Sequence, residues 1–159
     1  MILTFDTDAY YFSELGGKIR SAAYYYMTNK FQREFKNGAI NVLSTIIKHV
    51  MYYASEAETG ALYYGCKRSI PYIVTLKEMG HPQSEPTPVT TNYNTAHGIT
   101  MGTTTSKFSK FNDMSSQWLK CRKLQRLFAF LWARGPKIVL TTQASTIMGL
   151  TTYMSAQIM

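Results

Sequence analysis

The sequence predicts an α/β protein built on one mixed sheet. Three observations carry that reading. Three consecutive stretches rich in strand formers are separated by turn signals. The hydrophobic period then changes to helical from Glu56 onward. After that, short strand-like runs alternate with helical ones, at Val89–Thr91 and Leu127–Trp132. The predicted order is three antiparallel strands, helix, strand, helices, strand.

The first strand is the apolar run Met1–Phe5, followed by Asp6, Thr7 and Asp8. A strand that ends in acids is a common place for a functional carboxylate. Gly16-Gly17 opens a turn. Ala22–Met27, with three consecutive tyrosines, forms the second strand. Asn37-Gly38 is a hairpin signal, and Ala39–Ile47 alternates as a third strand. Leu62, Cys66, Ile70 and Ile73 then recur at helical spacing, with Pro71 expected to kink or restart that helix. Gly80 before His81-Pro82 ends it. Asn94–Met101 reads as a short helix stopped at Gly102. Asp113–Leu127 is a second strong helix, with Met114, Trp118 and Cys121 as its apolar stripe and with Lys120, Arg122, Lys123 and Arg126 making it basic. From Lys137 to Met159 the only charge is Lys137, and no period is visible. The expected organisation is a domain over 1–136 and a divergent tail over 137–159.

The chain has 159 residues, enough for one domain with a real core. Its formal net charge of +8 points to an anionic partner, nucleic acid first and an acidic membrane surface second. Cys66 and Cys121 stand far apart in no metal-binding spacing, as reduced thiols of a cytoplasmic or nuclear protein do. No basic segment followed by a long apolar run opens the sequence, so no signal peptide is expected, and no apolar run is long enough for a membrane span.

Lys48–Leu62, reading KHVMYYASEAETGAL, concentrates the chemistry. Glu56 and Glu58 lie among Ala54, Ser55, Ala57, Gly60 and Ala61, small enough for another backbone to approach closely. Two readings are open from these residues alone. Both acids complement the positive end of a helix that Ser55 caps. Alternatively, one of them points inward and holds a divalent cation.

Several local stretches resemble the RNase H domain of copia-type LTR retrotransposon polyproteins. They are FDTDAYYFSE (5–14), NGAINVLSTIIKHVMYYASEAETGALY (37–63), TLKEMGHPQSEPTPVTTNYNTAHGI (75–99), SKFNDMSSQWLKCR (109–122) and FLWARGP (130–136). The EAE-plus-GAL block, the EMGHPQ-TP turn and the NTA-GI block are jointly distinctive. The resemblance implies an RNase H-like fold, a four-carboxylate site and two magnesium or manganese ions about 4 Å apart cleaving the RNA strand of an RNA·DNA hybrid. It also implies an intracellular setting, no membrane, and a reverse transcriptase in the same polyprotein as a partner.

Carried over residue by residue, the resemblance matches Asp8 to the family's first aspartate, with Asp6 a weaker candidate on the same strand face. Glu58 matches the helix glutamate, and Glu56 becomes its neighbour. Asn92 stands where the family has its third acid. The implied catalytic set is Asp8, Glu58 and Asn92, with Asp8 and Glu58 as metal ligands. The fourth acid is expected after Pro136, yet no Asp or Glu follows Asp113. Ser115, Gln117 and Thr59 depart from the family pattern as well. The resemblance thus implies a decayed copy: an impaired nuclease, a non-catalytic nucleic-acid-binding module, or a degenerate fragment. Lys107, Lys110, Lys120, Arg122, Lys123 and Arg126 are the expected nucleic-acid contacts.

Overall fold

Leu3, Phe5, Ala23, Tyr25 and Val89 are fully buried, and they come from the three central strands of one sheet. The computed structural model describes residues 1–10, 18–29, 38–49, 51, 53–101 and 110–133, without the side chains at 95–96, 99–100 and 110–112. The expected turn at Gly16-Gly17, Lys107 and the tail over 137–159 lie outside the described residues.

Strands β1 (Ile2–Tyr10), β2 (Ile19–Thr28) and β3 (Ala39–Ile47) form the antiparallel meander. Helix α1 (Ala54–Glu78) crosses over to β4 (Thr87–Thr91). Then come α2 (Asn94–Met101), α3 (Lys110–Leu124) and β5 (Phe128–Trp132). The sheet order is β3-β2-β1-β4-β5, with β4 parallel to both β1 and β5. This is the mixed sheet the sequence predicts. The first strand is longer than expected, because it continues through Asp6 and Asp8 to Tyr10.

Pro88 stands inside β4, a central strand. Alternation explains why it is tolerated. The Thr87 N–H donates to the Leu127 carbonyl on the β5 side, so residue 88 faces β1, where pairing starts only at Phe5↔Val89. The missing proline N–H therefore costs no ladder bond.

Helix α1 lies over β1 and β2. Its buried residues include Ala57, Ala61, Leu62 and Cys66. Pro71 does not restart the helix; α1 runs through it as 25 residues. Pro71 is on the exposed face, where water replaces the lost intrahelical donor, while Ile70, Tyr72 and Ile73 hold both sides of it to the core. Gly80, at φ 84°, ends the helix in a Schellman arrangement: its N–H donates to the Lys77 carbonyl, and that of His81 to Leu76. Arg126 adopts φ 56° and ends α3 by the same pair of bonds, to Lys123 and Arg122.

Gly65 sets how close α1 comes to the sheet. A methyl group there would sit 2.7 Å from Thr7 Cγ2 and 3.3 Å from Phe5 Cε2. The Gly65 carbonyl also accepts a buried bond from Tyr25 Oη at 2.9 Å. Gly65→Ala is expected to lower unfolding free energy by about 1–3 kcal/mol in urea titrations, because neither neighbour can withdraw from a close-packed core. An unchanged or raised midpoint would contradict this close fit.

Helix α3 differs from its sequence reading. Among its described side chains, Ser115, Ser116 and Leu119 are buried. The predicted apolar stripe is split: Met114 is 75 % exposed and Cys121 is exposed, while half-buried Trp118 packs against Tyr63 and Phe128. The two serines are small enough to let α3 approach the rest of the fold closely, which the larger stripe residues would prevent.

Candidate active site

The parallel pairing of β1 with β4 places two sequence-distant residues side by side. Thr7 is level with Thr91, so Asn92, one step beyond, is level with Asp8. Asn92 Nδ2 donates to Asp8 Oδ1 at 3.3 Å. The Ala9 N–H donates to the same oxygen at 3.0 Å.

Glu58 enters from above, on the second turn of α1. It is buried, and its Oε2 has no hydrogen-bond partner. Burial is the main force raising its pKa, to about 8. The Asp8 carboxylate adds to the rise, and the Ala9 amide opposes it. Asp8 is raised too, chiefly by burial, against the Asn92 and Ala9 hydrogen bonds. Near neutrality the uncharged form of Glu58 is therefore favoured, because two carboxylates share one poorly solvated edge. Asp8, Glu58 and Asn92 thus come together where β1 and β4 end.

The other acids are placed differently. Glu56 is 1 % exposed, so it is no solvated capping acid. The helix cap is Tyr53, without a side-chain bond; its carbonyl accepts from the N–H groups of Glu56 and Ala57. Ser55 is inside the helix, and its carbonyl accepts from Thr59 Oγ1. Asp6 is 2 % exposed and accepts from Tyr26 Oη at 3.4 Å. Among the described residues no three His, Cys, Asp or Glu side chains are grouped to hold a metal ion.

The cations of α3 lie elsewhere. The helix runs antiparallel to β5, so its C-terminal turn is at the end of the sheet where β4 and β5 begin. From Phe128 to Trp132 and on to the level of Asp8 is about 15 Å along the strands. Lys123 and Arg126 stand at this turn, at the other end of β5 from the level of Asp8. Arg122 stacks over Trp118 at 5.1 Å and donates to Gln125; Lys123 lies against Met101. Lys110 begins α3, with its side chain outside the described set.

Sequence reasoning missed the cations that do share the acid end. Tyr10 pairs with Arg20, and Ile19 with Ile47. This register brings Lys18, Arg20 and Lys48 to the edge where β1 ends. Arg20 lies on the same sheet face as Asp8, one cross-strand step further out, and donates to Ser44 Oγ at 3.2 Å. The signal is the meander register, which needs a fixed loop length between β1 and β2.

This architecture is the RNase H-like fold. Comparison with solved structures supports it at low sequence identity. The RNase H1 called LC11, solved in complex with an RNA/DNA hybrid, is 13 % identical, with a TM-score of 0.56 over 85 % of this chain and 86 % of that one. RNase H1 of Halobacterium salinarum is 11 % identical, TM-score 0.53, over 86 % and 87 %. The RNase H domain of prototype foamy virus is 13 % identical, TM-score 0.52, over 86 % and 81 %. No family model matches the sequence, and no curated protein does.

Proposed function

We propose that this chain is a copia-type retroelement RNase H domain whose catalytic centre has decayed to a site for one divalent cation. The observation that carries the proposal is the buried, unpartnered Glu58 Oε2 beside Asp8, with an amide at the third position. Two carboxylate groups and an amide carbonyl are hard oxygen donors suited to magnesium or manganese. Asn92 would have to turn its amide, so that the oxygen replaces the nitrogen now donating to Asp8. Bound there, the cation would supply charge stabilisation to a phosphoryl group. Asp8 would orient by its Ala9 bond, and Glu58 would give up its proton on binding.

The charge balance argues against full activity. A two-cation centre brings +4, and these two acids supply −2 when both are ionised. Loss of even one transition-state stabiliser costs on the order of 10²–10³ in rate, and losses in one cluster do not simply add. The domain retains a surface for a polyanion, with Lys18, Arg20 and Lys48 beside the acids and the predicted contacts on α3. Binding through them would be sequence-tolerant and steeply salt-dependent. Attachment to a reverse transcriptase fits the same reading. The chain aligns with 17 % of a prototype foamy virus protease–reverse transcriptase chain, at 12 % identity and a TM-score of 0.50.

A single-turnover assay on an RNA·DNA hybrid in Mg²⁺ and Mn²⁺ tests the proposal. The expected result is no cleavage above that of Asp8→Asn. Robust cleavage that Asp8→Asn abolishes would show that two acids and an amide suffice, and the decay reading would fall.

A further inference from the structure

Exposed aromatic rings gather at one end of this molecule. Among the described side chains, three of the Phe, Tyr and Trp residues are exposed: Tyr10 (60 %), Tyr53 (63 %) and Trp132 (43 %). All three stand at the end of the sheet that holds Asp8 and Asn92. Tyr10 closes β1, two residues beyond Asp8 and so on the same face of the strand. Tyr53 caps α1 five residues before Glu58, about 7.5 Å further out along the helix axis. Trp132 ends β5 level with Thr91, the residue before Asn92. Among the described residues no ring contact engages these three, whereas Tyr63, Tyr64 and Trp118 pair with neighbouring rings. Single exposed apolar side chains are ordinary; three aromatics at one end make a patch.

Cations accompany the rings. Tyr10 is the cross-strand partner of Arg20, so phenol and guanidinium stand side by side on the face of Asp8. Lys18 precedes β2 and Lys48 follows β3 at the same edge. Cations interleaved with free ring faces suit an unpaired nucleic-acid strand, because the cations take phosphates and the rings take base faces. A regular duplex stacks its bases on one another and offers side chains no base face, so cations alone would serve it. We propose that this end of the sheet binds an unpaired stretch of nucleic acid, with bases stacked on Tyr10, Tyr53 and Trp132 and phosphates held by Lys18, Arg20 and Lys48. The inference rests on the nucleic-acid part of the proposed function and on none of its cleavage chemistry.

Abasic strands separate stacking from charge, since they keep the phosphates and lack the bases. The probes are oligothymidylate and oligouridylate, an abasic strand of matched length and backbone for each, and a blunt RNA·DNA hybrid, all titrated in EDTA at one salt concentration. Oligothymidylate or oligouridylate, according to whether DNA or RNA is preferred, is expected to bind about tenfold or more tighter than its abasic match. Tyr10→Ala/Tyr53→Ala should bring that strand down to the abasic level and leave abasic affinity unchanged. Both residues are more than half exposed, so the variant keeps the fold, checked by circular dichroism. The chain has two tryptophans, so in a Trp118→Phe background the fluorescence of Trp132 should be quenched by the preferred strand and not by its abasic match. Equal binding of the abasic strand or of the blunt hybrid, or absence of that quenching, would overturn the proposal while leaving a charge-based nucleic-acid surface. Failure of every strand to bind would overturn the nucleic-acid reading as well. Capture by phosphatidylserine vesicles without binding of any strand would assign the patch to a membrane surface instead.

Discussion

Replacing Glu58 with glutamine is expected to stabilise the protein in alkaline solution by roughly 3–5 kcal/mol, at about 1.36 kcal/mol per pKa unit between the folded and unfolded values. Glu58 has a folded pKa raised to about 8 from 4.5, mainly by burial and secondarily by Asp8. The folded state therefore holds this proton more tightly than the unfolded chain. Its contribution is fully present below about pH 4.5 and is lost as pH rises through 8. The parent protein should lose stability across that window and level off above it. Glu58→Gln removes the titrating group, so the two stability curves should coincide near pH 4 and diverge as pH rises. Urea titrations at pH 4, 6, 8 and 9 in EDTA measure this. Parallel curves would mean that Glu58 is solvated and that the buried pair does not exist. Magnesium should narrow the gap at high pH, because a cation favours the ionised parent carboxylate.

Asn92→Asp should have the second largest effect, with a sign that depends on metal. In EDTA the substitution deletes the donor to Asp8 Oδ1 and adds a third acid within hydrogen-bond distance of it. A cost of about 1–3 kcal/mol follows from the lost charge-assisted bond and the new repulsion. With magnesium the third carboxylate becomes a ligand, and affinity should rise by about tenfold or more. Calorimetric titration and thermal melts with and without Mg²⁺ read the two arms. Hybrid cleavage should remain impaired, since no Asp or Glu follows Asp113 to supply a fourth anion. Full turnover in Asn92→Asp would show that a fourth acid is dispensable. A melt insensitive to magnesium would remove Asn92 from the site.

The strand order, the position of β3 and the core face of α1 were legible because period and turn chemistry agree there. Leu62 and Cys66 are fully buried as their spacing requires. Asp8, Glu58 and Asn92 were found through local motif likeness. Their convergence depends on the parallel β1–β4 ladder, which no local pattern encodes. On α3 the exposure of Met114 and Cys121 was not legible, because they outweigh Ser115 and Ser116 in hydrophobicity; Trp118 of the same stripe does pack against Tyr63 and Phe128. Close packing rewarded the smaller residues instead. That α1 continues through Pro71 was not legible, because it depends on that face being exposed. The burial of Glu56 was illegible for a related reason: acids at a helix start are usually solvated, and only the sheet beneath α1 decides otherwise.

One consequence follows from the direction of the helices. Helices α1 and α2 begin at the end of the sheet where β1 and β4 finish, beside Asp8 and Asn92. Each helix start carries roughly half a positive charge from aligned peptide dipoles, acting within about one turn. That field is a property of the backbone, and substitution of side chains leaves it in place. It adds to Lys18, Arg20 and Lys48 at the same end. A phosphate brought to this end of the sheet would meet that field whichever side chains stand beside it.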